Sequence, residues 1–132
     1  MGKELLAVRT GVDIIEVERV ARAYRRRPQL FLRRIFTVRE QEQLAARAYK
    51  ARHLAARFAA KEAVFKLLGC GIGSLAWTEV EIISLPSGQP LVYLHGRAKQ
   101  QAAKLSLHSI ALSVSHSRSY AVAQAGALVR NK

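Results

Sequence analysis

A single cysteine, Cys70, excludes an internal disulfide and fits a reducing, cytoplasmic setting. No apolar run approaches the roughly 18–20 residues needed to span a bilayer, so no membrane span is expected. The opening Met1-Gly2-Lys3-Glu4 has no basic stretch followed by a long apolar one, and export is not expected either. The scarcest chemistry is negative charge. Nine acids stand against 22 lysines and arginines, a net charge of +13. Eight of the acids are glutamates and one is an aspartate, Asp13. No acid lies among the eight arginines between Arg19 and Arg39. Such a field asks for an anionic partner: nucleic acid, a membrane surface, an acidic protein or a phosphorylated small molecule.

What is present is ample apolar material. Half of the 132 residues are apolar, which excludes disorder as the main state and suits a single domain over 1–132. Residues 6–16 alternate as a strand ending near Ile15, with Val8, Thr10, Val12 and Ile14 on one face and Arg9, Gly11, Asp13 and Ile15 on the other. Glu16 to Arg27 reads as a helix that Pro28 ends, and Leu30 to Phe36 as a short helical piece. Thr37 with Glu40 forms a capping box that starts another helix, running through Leu44. His53 to Leu68 is the strongest helix, with Leu54, Phe58, Phe65 and Leu68 in one apolar stripe; Gly69 to Gly73 stops it in a turned loop. The second half reads as strands at Thr78–Leu85 (Val80 and Ile82 inward), Leu91–Leu94, Leu107–Val114 and Tyr120–Leu128, with a basic helix at 96–105. Helices first and meandering strands later predict an α+β fold with a largely antiparallel sheet.

Three features carry chemistry. Lys61 falls inside the apolar stripe and Glu62 at its border, an expensive arrangement unless the groups are paired, snorkelling or functional. Glu62 and Lys66 also fit an ordinary i,i+4 surface pair. Asp13 sits in a β-branched strand beside Gly11, where glycine permits a close approach of backbone or ligand; it either caps the following helix or serves a site. Were Asp13 and Glu62 to meet, two hard oxygen ligands with open positions would suit Mg²⁺ together with substrate phosphates. His116, between Ser115 and Ser117 at a strand end, is either a hydrogen-bonded turn residue or a hydrogen-bond donor to a phosphate or other ligand. Cys70 has no partner motif, and GCGIG lacks the ending of a phosphate-binding Walker loop.

These fragments occur together in one family. Gly11-Val12-Asp13-Ile14-Ile15-Glu16-Val17-Glu18-Arg19-Val20 resembles the opening signature of the holo-acyl-carrier-protein synthases, the small bacterial 4′-phosphopantetheinyl transferases. Arg57-Phe58-Ala59-Ala60-Lys61-Glu62-Ala63-Val64-Phe65-Lys66, followed by Gly69-Cys70-Gly71-Ile72-Gly73, is similar to the second signature. Arg34-Ile35-Phe36-Thr37 with Glu40, Ser87-Gly88-Gln89-Pro90 and Leu112-Ser113-Val114-Ser115-His116-Ser117 continue the resemblance in family order. Cys70 stands where the family usually has threonine, and Ala56 where glycine is usual.

The resemblance implies a 4′-phosphopantetheinyl transferase-like fold and a reaction. Phosphopantetheine passes from coenzyme A to a serine of apo acyl carrier protein, in support of fatty acid or polyketide synthesis, and adenosine 3′,5′-bisphosphate is released. It implies Mg²⁺ on Asp13 and Glu62, with Glu62 or a metal-bound water taking the serine proton. It implies phosphate contacts from Arg57, Lys61, Lys66 and His116. It further implies a homotrimer with sites between subunits. The acid-free Arg19–Arg39 segment would then dock an acidic carrier protein. The rival readings are a small basic nucleic-acid-binding protein, which predicts a basic face without a carboxylate site, and an inactive subunit of the same fold.

Overall fold

The computed structural model describes residues 5–69 and 74–131. In chain order, β1 (Leu5–Glu16) leads into α1 (Val17–Arg26), α2 (Pro28–Ile35), α3 (Val38–Ala45) and α4 (Ala51–Leu68). A 3₁₀ turn (Trp77–Glu79) then precedes β2 (Val80–Ser84), β3 (Pro90–Leu94), α5 (Gly96–Lys104), β4 (Ala111–His116) and β5 (Tyr120–Asn131). Among the described residues all strand pairs are antiparallel, in a β1-β5-β4 sheet and a β2-β3 hairpin.

The sheet and α4 meet through small residues. Along β5 every second residue, Ala121, Ala123, Ala125, Ala127 and Val129, is buried, as a period-two strand requires. Ala59, Ala60 and Ala63 on α4 are buried too, and α4 packs mainly on β1 and β5. Small side chains on both surfaces let backbone approach backbone. The closest point is Gly11: a Cβ there would stand 2.0 Å from Ala63 O and 2.7 Å from Leu67 N. The glycine in β1 is therefore there for the helix, and it brings Asp13, two residues along the same face, up to α4.

The expected apolar stripe of α4 proves too narrow. Alanines, Val64 and Leu67 are buried beside Leu54, Phe65 and Leu68, because α4 is flanked by β1, β5, β4, β2, α1 and α5. The helix ends at Gly69 with φ +74°, the left-handed C-terminal residue that the sequence suggested; the rest of the expected glycine loop, Cys70 to Gly73, lies outside the described residues. The capping box at Thr37 is present in both directions.

Two strand boundaries differ from expectation. The stretch from Thr78 begins as a 3₁₀ turn, held by Glu79 accepting from Ala76 N, and becomes strand only at Val80. Val80 and Ile82 do point inward, as the pattern suggested. The strand expected from Leu107 starts at Ala111, because Ser106 takes φ +52° and Leu107 makes only an isolated bridge to Val129.

The opposite face of the large sheet is bare. Val8, Val12 and Ile14 of β1 are exposed, and so are Val122 and Leu128 of β5, which pair with Ile14 and Val8. Leu6 and Tyr120 extend the patch at its two ends. A largely apolar sheet face of this kind, interrupted by Thr10 and Gln124, marks an interaction surface.

Candidate active site

The close approach of β1 to α4 assembles the first cleft, of about 670 Å³. Phe58, Glu62 and Lys66 project into it from α4, each four residues from the next and so on one face. Asp13 enters from β1, and its partner is Lys66: Nζ lies 3.2 Å from Asp13 Oδ1 and 3.0 Å from Val12 O. Asp13 therefore does not cap α1, whose N-terminus has no side-chain cap, and Lys66 reaches across to β1 rather than forming the simple surface pair with Glu62. The Glu62 carboxyl is pushed above the usual carboxylate range by burial and by the Asp13 charge, with Lys66 opposing. Beyond the carboxylates the floor is apolar (Val20, Leu30, Phe31, Ile35, Trp77), and Arg19, Arg26, Arg27 and Arg34 ring it. Four of the eight arginines of the acid-free segment thus line the carboxylate cleft.

A second cleft, of about 560 Å³, opens on another side of α4. Arg57, His53, Arg47 and His116 line it together with Ser84, Pro86, Gly88 and Pro90 from the β2-β3 hairpin, and no carboxylate does. The Arg57 guanidinium donates to Ile82 O, to Gln43 Oε1 at 3.3 Å and to Ser84 Oγ at 3.4 Å. The rings of His53 and His116 meet edge to face at 5.8 Å. Burial and then the charges of Arg52 and Arg47 hold His53 below its ordinary value. The two clefts share no lining residue. Five residues separate Arg57 from Glu62, which turns their side chains about 140° apart around the helix.

Lys61 reaches neither cleft. It is fully buried, with Nζ 2.7 Å from Glu40 Oε1, 3.0 Å from Trp77 O and 2.6 Å from Val80 O. An ammonium has three protons, and all three are committed. The structure thus brings Asp13, Glu62 and Lys66 together, places Arg57 and His116 in a separate cation-rich cleft, and leaves Lys61 in the core. Sequence reasoning did not find Glu40 as a buried partner, His53 beside His116, or Trp77 as a cleft wall. Only Glu40 left a trace, as half of a capping box.

Among the described residues no group of three or more histidine, cysteine, aspartate or glutamate side chains could hold a metal ion. No helix of the described residues is long and apolar enough to cross a membrane. A family model described as the 4′-phosphopantetheinyl transferase superfamily matches residues 9–125, which include both signatures and both clefts. The chain belongs to the 4′-phosphopantetheinyl transferase superfamily. A holo-[acyl-carrier-protein] synthase of Moorella thermoacetica is 47% identical over 115 residues, 87% of this chain and 89% of that protein. The solved acyl carrier protein synthase of Plasmodium yoelii with ADP bound superposes with a TM-score of 0.84 at 29% identity, covering 98% of this chain and 100% of that one. The Helicobacter pylori holo-[acyl-carrier-protein] synthase in complex with coenzyme A gives a TM-score of 0.77 at 28% identity, over 92% and 99% of the two chains. The α+β transferase fold expected from the sequence is the one observed.

Proposed function

We propose that this member of the transferase superfamily moves 4′-phosphopantetheine from coenzyme A to the serine hydroxyl of an apo acyl carrier protein. The observation that carries this reading is the Asp13–Glu62 pair, with Lys66, inside a cleft otherwise ringed by arginines. A nucleic-acid-binding surface has no use for two carboxylates at the centre of its basic face.

The donor set suits Mg²⁺. Asp13 and Glu62 are hard oxygen ligands; burial and then the Asp13 charge raise Glu62, and a divalent cation would relieve the repulsion. Bound there, Mg²⁺ would neutralise the charge of the pyrophosphate. The chain's own groups do the rest. The carrier serine Oγ forms a bond to the phosphorus that bears pantetheine. The bond from that phosphorus to the bridging oxygen breaks, and its electron pair leaves with adenosine 3′,5′-bisphosphate. Glu62, or a water held beside it, accepts the serine proton. Lys66 offsets the charge that grows on the leaving phosphate. Arg57, Arg47 and His116 hold the phosphates of the nucleotide half, with Arg57 fixed in orientation by three hydrogen bonds.

One coenzyme A has to meet both clefts, yet they face apart within a chain. A carboxylate cleft from one subunit beside a cationic cleft from the next resolves this, and the bare apolar sheet face supplies a surface for assembly. A closed homotrimer has head-to-tail seams of this kind. The arginines of residues 19–39 then face the carrier, whose acidic surface they attract, raising the association rate more than the affinity.

The test is direct. Purified protein with Mg²⁺, coenzyme A and an apo carrier is expected to add the mass of one phosphopantetheine group to the carrier. Asp13→Ala and Glu62→Ala are each expected to abolish the gain. No gain with any of several apo carriers would overturn the reading, and full activity of either variant would overturn the metal assignment.

A further inference from the structure

The segment from Trp77 to Ser84 is the wall between the two clefts. At one end Trp77 lines the carboxylate cleft; at the other Ile82 and Ser84 line the cationic one. One buried ion pair supplies three of the hydrogen bonds that tie this segment to α3 and α4, beside those of Arg57 and Gln43 and the pairing with β3. Lys61 Nζ donates to the carbonyls of Trp77 and Val80, Glu40 Oε2 accepts from Ile82 N at 2.9 Å, and Glu40 Oε1 joins the two at 2.7 Å. Both side chains are fully buried. Glu40 also accepts from Thr37 N, so α3, α4 and the wall share one junction.

We propose that the Lys61–Glu40 pair is a positioning device that sets the Trp77–Ser84 wall against α4 and thereby fixes both clefts in one geometry, without touching a phosphate. The chemistry of the wall explains why the residues are charged. At the passage from 3₁₀ turn to strand, Trp77 O and Val80 O converge on α4 and need donors, and an apolar residue at position 61 would leave them unpaired in the core. A buried ammonium in turn requires a carboxylate. Lys61 immediately precedes Glu62 on α4, and Arg57 lies one turn earlier. The junction is thus set between the side chains that enter the two clefts. Wall and helix cannot slide without opening one cleft and closing the other.

The consequence for catalysis rests on the transfer reading above; the consequence for the wall does not. Trp77 is the one tryptophan of the sequence, and it packs on Phe58 and Phe65 with ring centroids 4.8 and 5.4 Å away. Its emission therefore reports the wall alone. The variants are Lys61→Met, Glu40→Gln and the neutral double variant carrying both. Each single substitution leaves an uncompensated buried charge and is expected to lower the Tm by on the order of 10 °C. The double variant is expected to regain part of that loss. Well below its Tm, it should still show a shifted Trp77 emission and a kcat/KM reduced by about 10²-fold, because the wall has lost the three holds nearest the turn-to-strand passage.

Three outcomes overturn the proposal. Lys61→Met with parental Tm and emission but a collapsed kcat would make Lys61 a phosphate contact. A folded double variant with parental emission, KM and kcat would make the pair structural only. A double variant that does not fold would show that the charges themselves are indispensable. Should the parent protein transfer nothing, the Tm and emission results still decide the positioning claim.

Discussion

Replacing Gly11 by alanine perturbs the one contact on which the carboxylate cleft is built. The added methyl would sit 2.0 Å from Ala63 O and 2.7 Å from Leu67 N, whereas contacts under 3.0 Å are not tolerated, so β1 and α4 must part by about 1 Å. Neither side can yield locally. The obstacle is helix backbone, and β1 is paired along its length with β5. Overpacking of a core costs about 1–3 kcal/mol, and a wedge between two backbones belongs at the upper end, about 3 kcal/mol. For a chain of this size that lowers the Tm by on the order of 10 °C. Asp13 travels with the strand, away from Glu62 and Lys66, and a misplacement of about 1 Å at a reacting centre costs about 10²-fold. Thermal unfolding by circular dichroism and kcat/KM for carrier modification at a temperature where the variant remains folded check the two effects separately. Gly11→Ala with parental Tm would refute the packing account. A destabilised variant with parental kcat/KM would refute the link from packing to the site.

Other consequences follow from individual residues. Ala48 has φ +55° at an exposed position, and a left-handed conformation costs an L-residue about 1–2 kcal/mol; Ala48→Gly should raise the Tm by a few °C even after glycine's extra chain entropy, and a lower Tm would contradict this. Glu81 is buried, which alone would raise its pKa, but hydrogen bonds from Thr37 and His95 and the Arg39 charge outweigh burial and hold it below the ordinary glutamate value. A carboxylate lowered in this way stabilises the fold above its unfolded pKa, and the contribution fades as the pH falls through the folded value. Glu81→Gln should therefore melt below the parent at pH 7, with the gap closing below about pH 4; a gap independent of pH would contradict it. Reversing Arg22, Arg25 and Arg26 to Glu should raise the KM for the carrier, most strongly at low salt. An unchanged carrier KM would remove that segment as the docking surface.

Local signals were legible in the sequence, and contacts between distant segments were not. The β1 alternation, the Thr37–Glu40 capping box and the Gly69 stop depend on neighbours a few residues away, and each is present. Gly11 could be read as a point of close approach, but only the fold shows that α4 is what approaches. The burial of α4 on nearly every side is hidden by its alanines, whose weak hydrophobicity gives no stripe. Lys61 looked like a site residue because a lysine beside an apolar stripe is costly; the carboxylate that offsets the cost is 21 positions earlier, where Glu40 already had a local role as a cap. Thr78 has strand-like neighbours, yet the Glu79 side chain folds back to Ala76 N and makes a turn. The separation of Arg57 from Glu62 is implicit in helical geometry, but it matters only because a cleft opens on each side.

The central claim is that one reaction centre draws its carboxylates from one subunit and its phosphate-binding cations from another. Mixing two inactive variants tests it most directly. Glu62→Gln disables the first cleft, and Arg47→Glu with His116→Glu disables the second. Each variant alone is expected to leave an apo carrier unmodified. Assembled together from unfolded subunits in equal amounts, they should recover modification, since random association makes roughly a quarter of the seams intact. A mixed preparation as inactive as its parents, although mass measurement shows mixed oligomers, would contradict the account.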